Sequence, residues 1–276
     1  MLNPSPLSDE IREKISFIHS GCPLTASYRY RAKMPAEALG IPLNRWGDGI
    51  LVLSKPTEQE VSFASYYKKK GRTKIVADFC DDHFDRAHYR ALLELADRIV
   101  VPTANMAGRI KWDTQIIPDP YEFEEVEPHC NGNRLLWFGH GSNLHSFQRI
   151  VPGLMDTFHL VSNVEGTIPW SMETMVNEFA LADIVLMPAT KDYKSPNRTV
   201  ESIRQGCFVV AEPHPALEDF PGIWIGDIHE GIEWAKHNPQ EANQRTKMAQ
   251  EYVRNNFSPC IQATAWKNLL MELAST

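Results

Sequence analysis

Between Ile184 and Ala211 the chain carries residues suited to holding a phosphorylated ligand. The apolar run 184–187 is short and ends at Pro188, which predicts a buried strand stopping at a loop. The loop supplies Lys191, Asp192, Tyr193 and Lys194. Ser195 followed by Pro196 predicts a helix start, a capping hydroxyl ahead of a proline whose missing N–H costs nothing there. Gly206 closes the helix, and 207–211 reads as a second strand. Backbone N–H groups at such a helix start attract phosphate, and Arg198 and Lys194 add full charges. Asn197 and Glu201 share one helix face, and Glu201, about one turn deeper, is an acceptor for both hydroxyls of a ribose. A capped surface helix with a solvated acid accounts for the same spacing.

Three other clusters have chemical content. Gly139, His140, Gly141, Ser142 and Asn143 follow a predicted strand and precede a helix, and their glycines let the backbone approach phosphate closely. A dinucleotide fingerprint would have a third glycine, and would end the next strand in an acid rather than in Ser162 and Asn163. In the turn 27–31, Tyr28, Arg29 and Arg31 offer two guanidiniums to a diphosphate or an anionic acceptor, or form a solvated basic turn. Asp81, Asp82, His83, Phe84 and Asp85 spell the magnesium-diphosphate motif of terpenoid synthases, but follow a strand in an alternating chain where those enzymes use helices. Turn-capping carboxylates account for these residues as well. Lys68, Lys69 and Lys70 with Arg72 read as a solvated helix end.

The elements that must position these groups alternate. Strands are predicted at 14–19, 50–53, 74–77, 98–101 and 114–117, with helices at 34–39, 58–70, 89–96 and 103–110 between them. The acidic, proline-bearing stretch 119–133 breaks the pattern and reads as a crossing between domains. Alternation then resumes, with strands at 134–138, 158–162, 184–187, 208–211 and 223–225 and helices at 147–155, 173–180, 228–236, 240–255 and 261–273. This is the pattern of parallel sheets covered on both faces.

With 276 residues the chain holds two domains of ordinary size, and 43% hydrophobic with 23% charged residues is a globular composition. No apolar run approaches the roughly 20 residues of a membrane span, and the N-terminus has no signal pattern, so a cytoplasmic protein without integral membrane association is expected. The five cysteines form no CxxC pair and the ten histidines no HExxH, which disfavours disulfides and structural zinc. A net charge of −7 argues against indiscriminate nucleic-acid binding.

The segment 183–213, from Asn197-Arg198-Thr199-Val200-Glu201 through Gly206 to Val210, resembles the donor-binding strand, loop and helix of GT-B glycosyltransferases. It is most similar to the retaining glycosyltransferase 4 family, also called glycosyl transferases group 1. The resemblance extends to 74–85, 92–110 and 114–120 in the first half. Members commonly have a glutamate eight positions before the one matched by Glu201; here that position is Tyr193. The resemblance implies an α/β fold of two Rossmann-like doubly wound domains facing a cleft. Residues 1–131 would form the acceptor side and 132–276 the nucleotide-sugar side, the last helix crossing back to the first domain. The implied activity is retaining, metal-independent transfer of a hexosyl or pentosyl group from a nucleotide diphosphate-sugar to an acceptor hydroxyl, with no cofactor. The acceptor would be a saccharide, a lipid-linked glycan or a hydroxymethylated DNA base. Arg198, Lys194, Arg29, Asp82 and His83 would be catalytic. Gly139, His140, Gly141, Ser142, Asn143, Asn163, Ser195, Asn197 and Glu201 would bind the donor, and Tyr28, Arg31 and Asp81 would lie on the acceptor side. Tyr193 also allows a non-catalytic nucleotide-sugar binder, and the fold a sugar-nucleotide epimerase.

Overall fold

A computed structural model describes residues 7–154, 157–190 and 193–275; Lys191, Asp192 and residue 155 of the expected elements lie outside them. The chain divides into two compact units. The first runs to Pro120 and includes Tyr193–Ser195 and the C-terminal segment from Phe257; the second holds the remainder from Tyr121 to Asn256.

The first unit is built on five parallel strands in simple sequential order: β1 (Ile15–Ile18), β2 (Gly49–Ser54), β3 (Thr73–Asp78), β4 (Arg98–Val101) and β5 (Thr114–Ile116). Successive residues of these strands face opposite sides, so their apolar runs feed two cores. Phe17, Val52, Val76 and Val100 pack with Trp266, Leu269, Leu270 and Leu273 of the last helix, Pro259–Ser275. On the other side Leu53, Ile75, Ala77 and Ile99 pack with Val61, Tyr89, Leu92 and Met106 from the helices that follow β2, β3 and β4. The helix Glu58–Lys69 starts with a capping box, Thr57 accepting from the Glu60 N–H while the Glu60 carboxylate accepts from the Thr57 N–H at 2.7 Å.

The second unit has six parallel strands: β6 (Leu135–Phe138), β7 (Phe158–Ser162), β8 (Ile168–Pro169), β9 (Ile184–Met187), β10 (Phe208–Ala211) and β11 (Trp224–Ile225). Their order across the sheet is β8, β7, β6, β9, β10, β11, with all pairs parallel. The chain therefore works outward from β6 to one edge, returns, and works outward from β9 to the other. Such a sheet has one topological switch point, here between β6 and β9, and ligands of these sheets sit there at the carboxyl ends of the strands. Trp137, Leu186, Phe208 and Val210 share a core with Phe147, Ile228 and Ile232.

Residues 121–131 pack within the second unit. The Arg204 guanidinium lies 4.1 Å from the Tyr121 ring centroid and pairs with Glu125, and Gln250 donates to the Val126 carbonyl at 2.7 Å. Gly206 ends the helix Asn197–Arg204 at φ +76, and a Cβ there would come within 2.5 Å of the Glu127 carbonyl oxygen, so only glycine closes this turn. The short β8, the turn Asp9–Arg12 and the π-helical Arg29–Lys33 have no counterpart in the sequence pattern. Each is too short or too irregular to leave a periodic signal. Among the described residues no helix is long and apolar enough to cross a membrane.

Candidate functional site

The switch point of the second unit gathers one group of the expected residues. Phe138 is the last residue of β6, and the chain turns through Gly139 and His140 into a short 3₁₀ turn, Gly141–Asn143. Asn163, just beyond β7, clamps this turn: its Oδ1 accepts from the Gly141 N–H at 2.7 Å and its Nδ2 faces His140 Nε2 at 3.3 Å. The other ring nitrogen, Nδ1, accepts from the Ser142 N–H at 3.2 Å and faces Ser142 Oγ at 3.0 Å. From the other side of the switch point comes Arg198, in the first turn of the helix after β9. Its Nη1 donates to the Phe138 carbonyl at 2.9 Å and its guanidinium lies 5.8 Å from the Trp137 ring centroid. It crosses directly over Gly139, where a Cβ would meet that nitrogen at 3.2 Å. Burial pushes the Arg198 pKa down to about 10, which still leaves the side chain cationic at neutral pH.

The helix start differs in detail from expectation. Pro196, not Ser195, occupies the N-cap position, and no side chain caps the helix. The N–H groups of its first turn thus have no capping hydroxyl, and Asn197 and Arg198 are half-buried there. Ser195 belongs to the first unit, beside Asp119. Glu201, expected to present its carboxylate to a ribose, is only 3% exposed and accepts from the N–H groups of Glu122 at 2.7 Å and Phe123 at 3.3 Å. The amphipathic pattern placed Glu201 beside Asn197, but the folding of 121–123 against the helix, invisible in local spacing, encloses it.

Two residues at this end of the sheet carry no motif. Glu212 follows β10, takes both Arg149 Nη groups at 2.9 and 2.5 Å, and accepts from the Ala189 N–H at 2.6 Å. Burial works to raise its pKa, and the Arg149 and Ala189 hydrogen bonds outweigh that and hold it below the ordinary carboxylate value. This pair ties the loop after β9 to the end of β10. A charge at the carboxyl end of a strand was the available signal.

In the first unit, a second cluster stands where β1, β2 and β3 end. His19 follows β1, Lys55 follows β2, and Asp81, Asp82 and His83 follow β3. Lys55 Nζ bonds Asp81 Oδ2 at 2.9 Å, His83 Nε2 lies 3.9 Å from the same oxygen, and Arg109 Nε reaches Asp82 at 3.3 Å. Burial opposes ionisation of Asp81, but Lys55, His83 and Lys194 overcome it and keep the pKa below the usual range. Burial lowers the pKa of both His19 and His83, so both are neutral at pH 7. Lys55 adopts φ +50, a left-handed conformation that a non-glycine residue holds only when its surroundings impose it. His19 accepts from the Gly21 N–H at 2.9 Å and packs edge-on against Tyr28, ring centroids 5.4 Å apart. His19 and Lys55 escaped notice because each stands alone in sequence; the sheet places them side by side.

Tyr193–Ser195 also belongs to the first unit. Tyr193 packs on the core under β3, with the Arg109 guanidinium 5.7 Å from its ring centroid, and Lys194 forms an antiparallel bridge with Asp81. Lys194, expected at the diphosphate, thus has Asp81 as a neighbour. Arg29 is half-buried, donates to the Leu24 carbonyl, and stands 5.3 Å from the Tyr30 ring centroid. Arg31, expected on the acceptor side, is fully enclosed. It bonds both Asp78 oxygens, the Ile117 carbonyl at 2.6 Å and Asp119 at 3.1 Å. Burial opposes its charge, but Asp78 and Asp119 raise its pKa above the ordinary value. Its pairing with two buried acids forty and more positions away made it a strut of the fold. Among the described residues, no three His, Cys, Asp or Glu side chains are grouped to hold a metal ion.

No family model matches the chain, and no curated protein matches it. Solved structures do. The crystal structure of Anabaena HepE in complex with UDP-glucose superposes with a TM-score of 0.68 and 15% identity, over 93% of this chain and 99% of that one. A UDP-forming trehalose-phosphate synthase from Burkholderia xenovorans gives a TM-score of 0.55 at 10% identity, over 83% and 75% of the two chains. An α1,3-fucosyltransferase gives 0.54 at 10% identity, over 93% and 89%. These likenesses give the chain its fold: two Rossmann-like units in one polypeptide, the GT-B fold.

Proposed function

We propose, from the GT-B fold as premise, that this chain is a glycosyltransferase whose second unit binds a nucleotide diphosphate-sugar at the switch point between β6 and β9. The observation that carries the proposal is Arg198, a cation with no acidic partner among its described contacts, held over Gly139 by the Phe138 carbonyl. A diphosphate seated on the turn Gly139–Asn143 meets that charge together with the N–H groups of the helix start. HepE crystallised with UDP and UDP-glucose supports a uridine nucleotide as the first donor to try.

In the proposed reaction the bond from the anomeric carbon to the diphosphate breaks, and the diphosphate leaves with the electron pair. The acceptor oxygen bonds to the same face of that carbon, and its proton passes to the departing phosphate oxygen, so configuration is retained and no separate base is needed. Arg198 stabilises the charge that grows on the leaving group, more in the transition state than before it, and takes the part a metal ion would otherwise play. The strand-end cluster of the first unit, with Asp82 and His83, is assigned to the acceptor hydroxyl, and Lys194 and Arg29 to anionic groups of the substrates. A saccharide or lipid-linked glycan is the favoured acceptor, with a hydroxymethylated DNA base as the alternative. Glu201 has a supporting part: it sets the course of 121–123 along the donor helix.

The test is calorimetric titration of UDP, ADP and GDP into the protein and into Arg198→Ala. Binding of one nucleotide that weakens about tenfold or more in the variant supports the proposal, because a hydrogen bond to a charged group contributes about 1.5–3 kcal/mol. Absence of binding to every nucleotide removes it. Tight binding without transfer of sugar to any acceptor favours a non-catalytic binder, a reading that Tyr193 packed in the first unit in place of a glutamate supports.

A further inference from the structure

The helix Glu58–Lys69 buries Val61 and Ala64 in the first unit's core but turns two large aromatic side chains outward. Phe63 is 45% exposed and Tyr66 55%. Trp46, from the loop before β2, joins them, its ring 5.5 Å from Phe63 and 6.1 Å from Tyr67, and Tyr66 lies 5.5 Å from Tyr67. Phe63 and Tyr66 thus stand exposed, edged by the half-buried Trp46 and Tyr67 that also pack on the core, where an amphipathic helix ordinarily presents polar groups.

The rim of this surface is cationic. Lys69 and Lys70 are exposed at the helix end, and Lys70 Nζ stands 4.4 Å from the Tyr66 ring centroid and 5.4 Å from that of Tyr67. Arg72 follows, only loosely paired with Asp48 at 3.9 Å. In a chain of net charge −7 this local excess of positive charge runs against the whole. Aromatic rings with a polar edge, one lysine ammonium standing over two of them and further cations beside them, match the boundary between lipid acyl chains and headgroups, and the cations match anionic headgroups.

We propose that this face of the first unit seats on the surface of an anionic lipid bilayer, with Trp46, Phe63 and Tyr66 entering the headgroup layer and Lys69, Lys70 and Arg72 meeting lipid phosphates. The attachment is peripheral. The aromatic centre favours a bilayer over an acidic protein, which the lysines alone would satisfy equally. The proposal is independent of the donor chemistry.

Co-sedimentation of the full chain with vesicles of phosphatidylcholine alone, or with one third phosphatidylglycerol, tests it at low and high salt. The protein is expected to pellet with anionic vesicles only, and less so as salt screens the charges. Lys69→Glu with Lys70→Glu is expected to weaken binding by at least about tenfold, and Phe63→Ser with Tyr66→Ser to abolish it. Circular dichroism melting establishes that both variants are folded. Failure to pellet with anionic vesicles overturns the proposal, as does binding unchanged in both variants. A solution dimer that Phe63→Ser with Tyr66→Ser dissolves overturns it too, because a second copy then covers the face.

Discussion

At the scale of single residues, two buried ionic arrangements separate support of the fold from chemistry. Arg31 satisfies two acids and a carbonyl in the interior of the first unit, and its removal leaves Asp78 and Asp119 enclosed without their guanidinium partner. Arg31→Ala is therefore expected to cost about 3–5 kcal/mol of stability, read by urea denaturation, with nucleotide affinity of the surviving folded protein unchanged. In the second unit Asp183 accepts from the N–H groups of Asn131 and Arg134 and from the Arg134 guanidinium. Burial works to raise its pKa, but those bonds dominate and leave it below the ordinary value. A carboxylate depressed on folding contributes stability that is complete above its unfolded pKa of about 3.9 and is lost as pH falls through its folded value. The melting temperature is expected to fall steeply below about pH 4, and Asp183→Asn, already lacking the ionised form, to show a shallower fall over the same range.

At the scale of elements, the strand, loop and helix from β9 to β10 show what local sequence specifies. Pro188 ended the strand, Gly206 ended the helix, and Val200 and Ile203 point into the core, all as residue type and spacing require. Ser195 did not become the cap, because Tyr193–Ser195 packs in the first unit and the chain enters the helix through Pro196. Glu201 lost its solvent-facing position to the backbone of 122–123. Glu201→Ala is expected to lower stability by about 1–3 kcal/mol through loss of its bonds to the Glu122 N–H and the buried Phe123 N–H, measured by thermal denaturation. A loss of nucleotide affinity at unchanged stability would instead assign that carboxylate to the ribose. Gly206→Ala is expected to destabilise more than an ordinary surface change, since it combines positive φ with a clash against backbone.

At the scale of the whole molecule, the last helix is structural for the first unit. Trp266, Leu269, Leu270 and Leu273 are all at most 3% exposed against one face of the first sheet. Each buried side chain of this kind contributes about 1.5–3 kcal/mol, so a chain ending before Phe257 is expected to be insoluble or molten, read by loss of near-ultraviolet circular dichroism. The sequence by itself determined the alternation of strand and helix, the two-sided burial of each sheet and the glycine turn after β6. Those features follow from local periodicity, glycine and proline placement, and short-range capping. Tertiary structure alone decided the strand order that creates the switch point, the meeting of His19, Lys55 and Asp81 at neighbouring strand ends, and the enclosure of Arg31 and Glu201. Each of these depends on which distant segments pair in space, and a residue's type fixes its chemistry while its partners across the fold fix whether that chemistry is available.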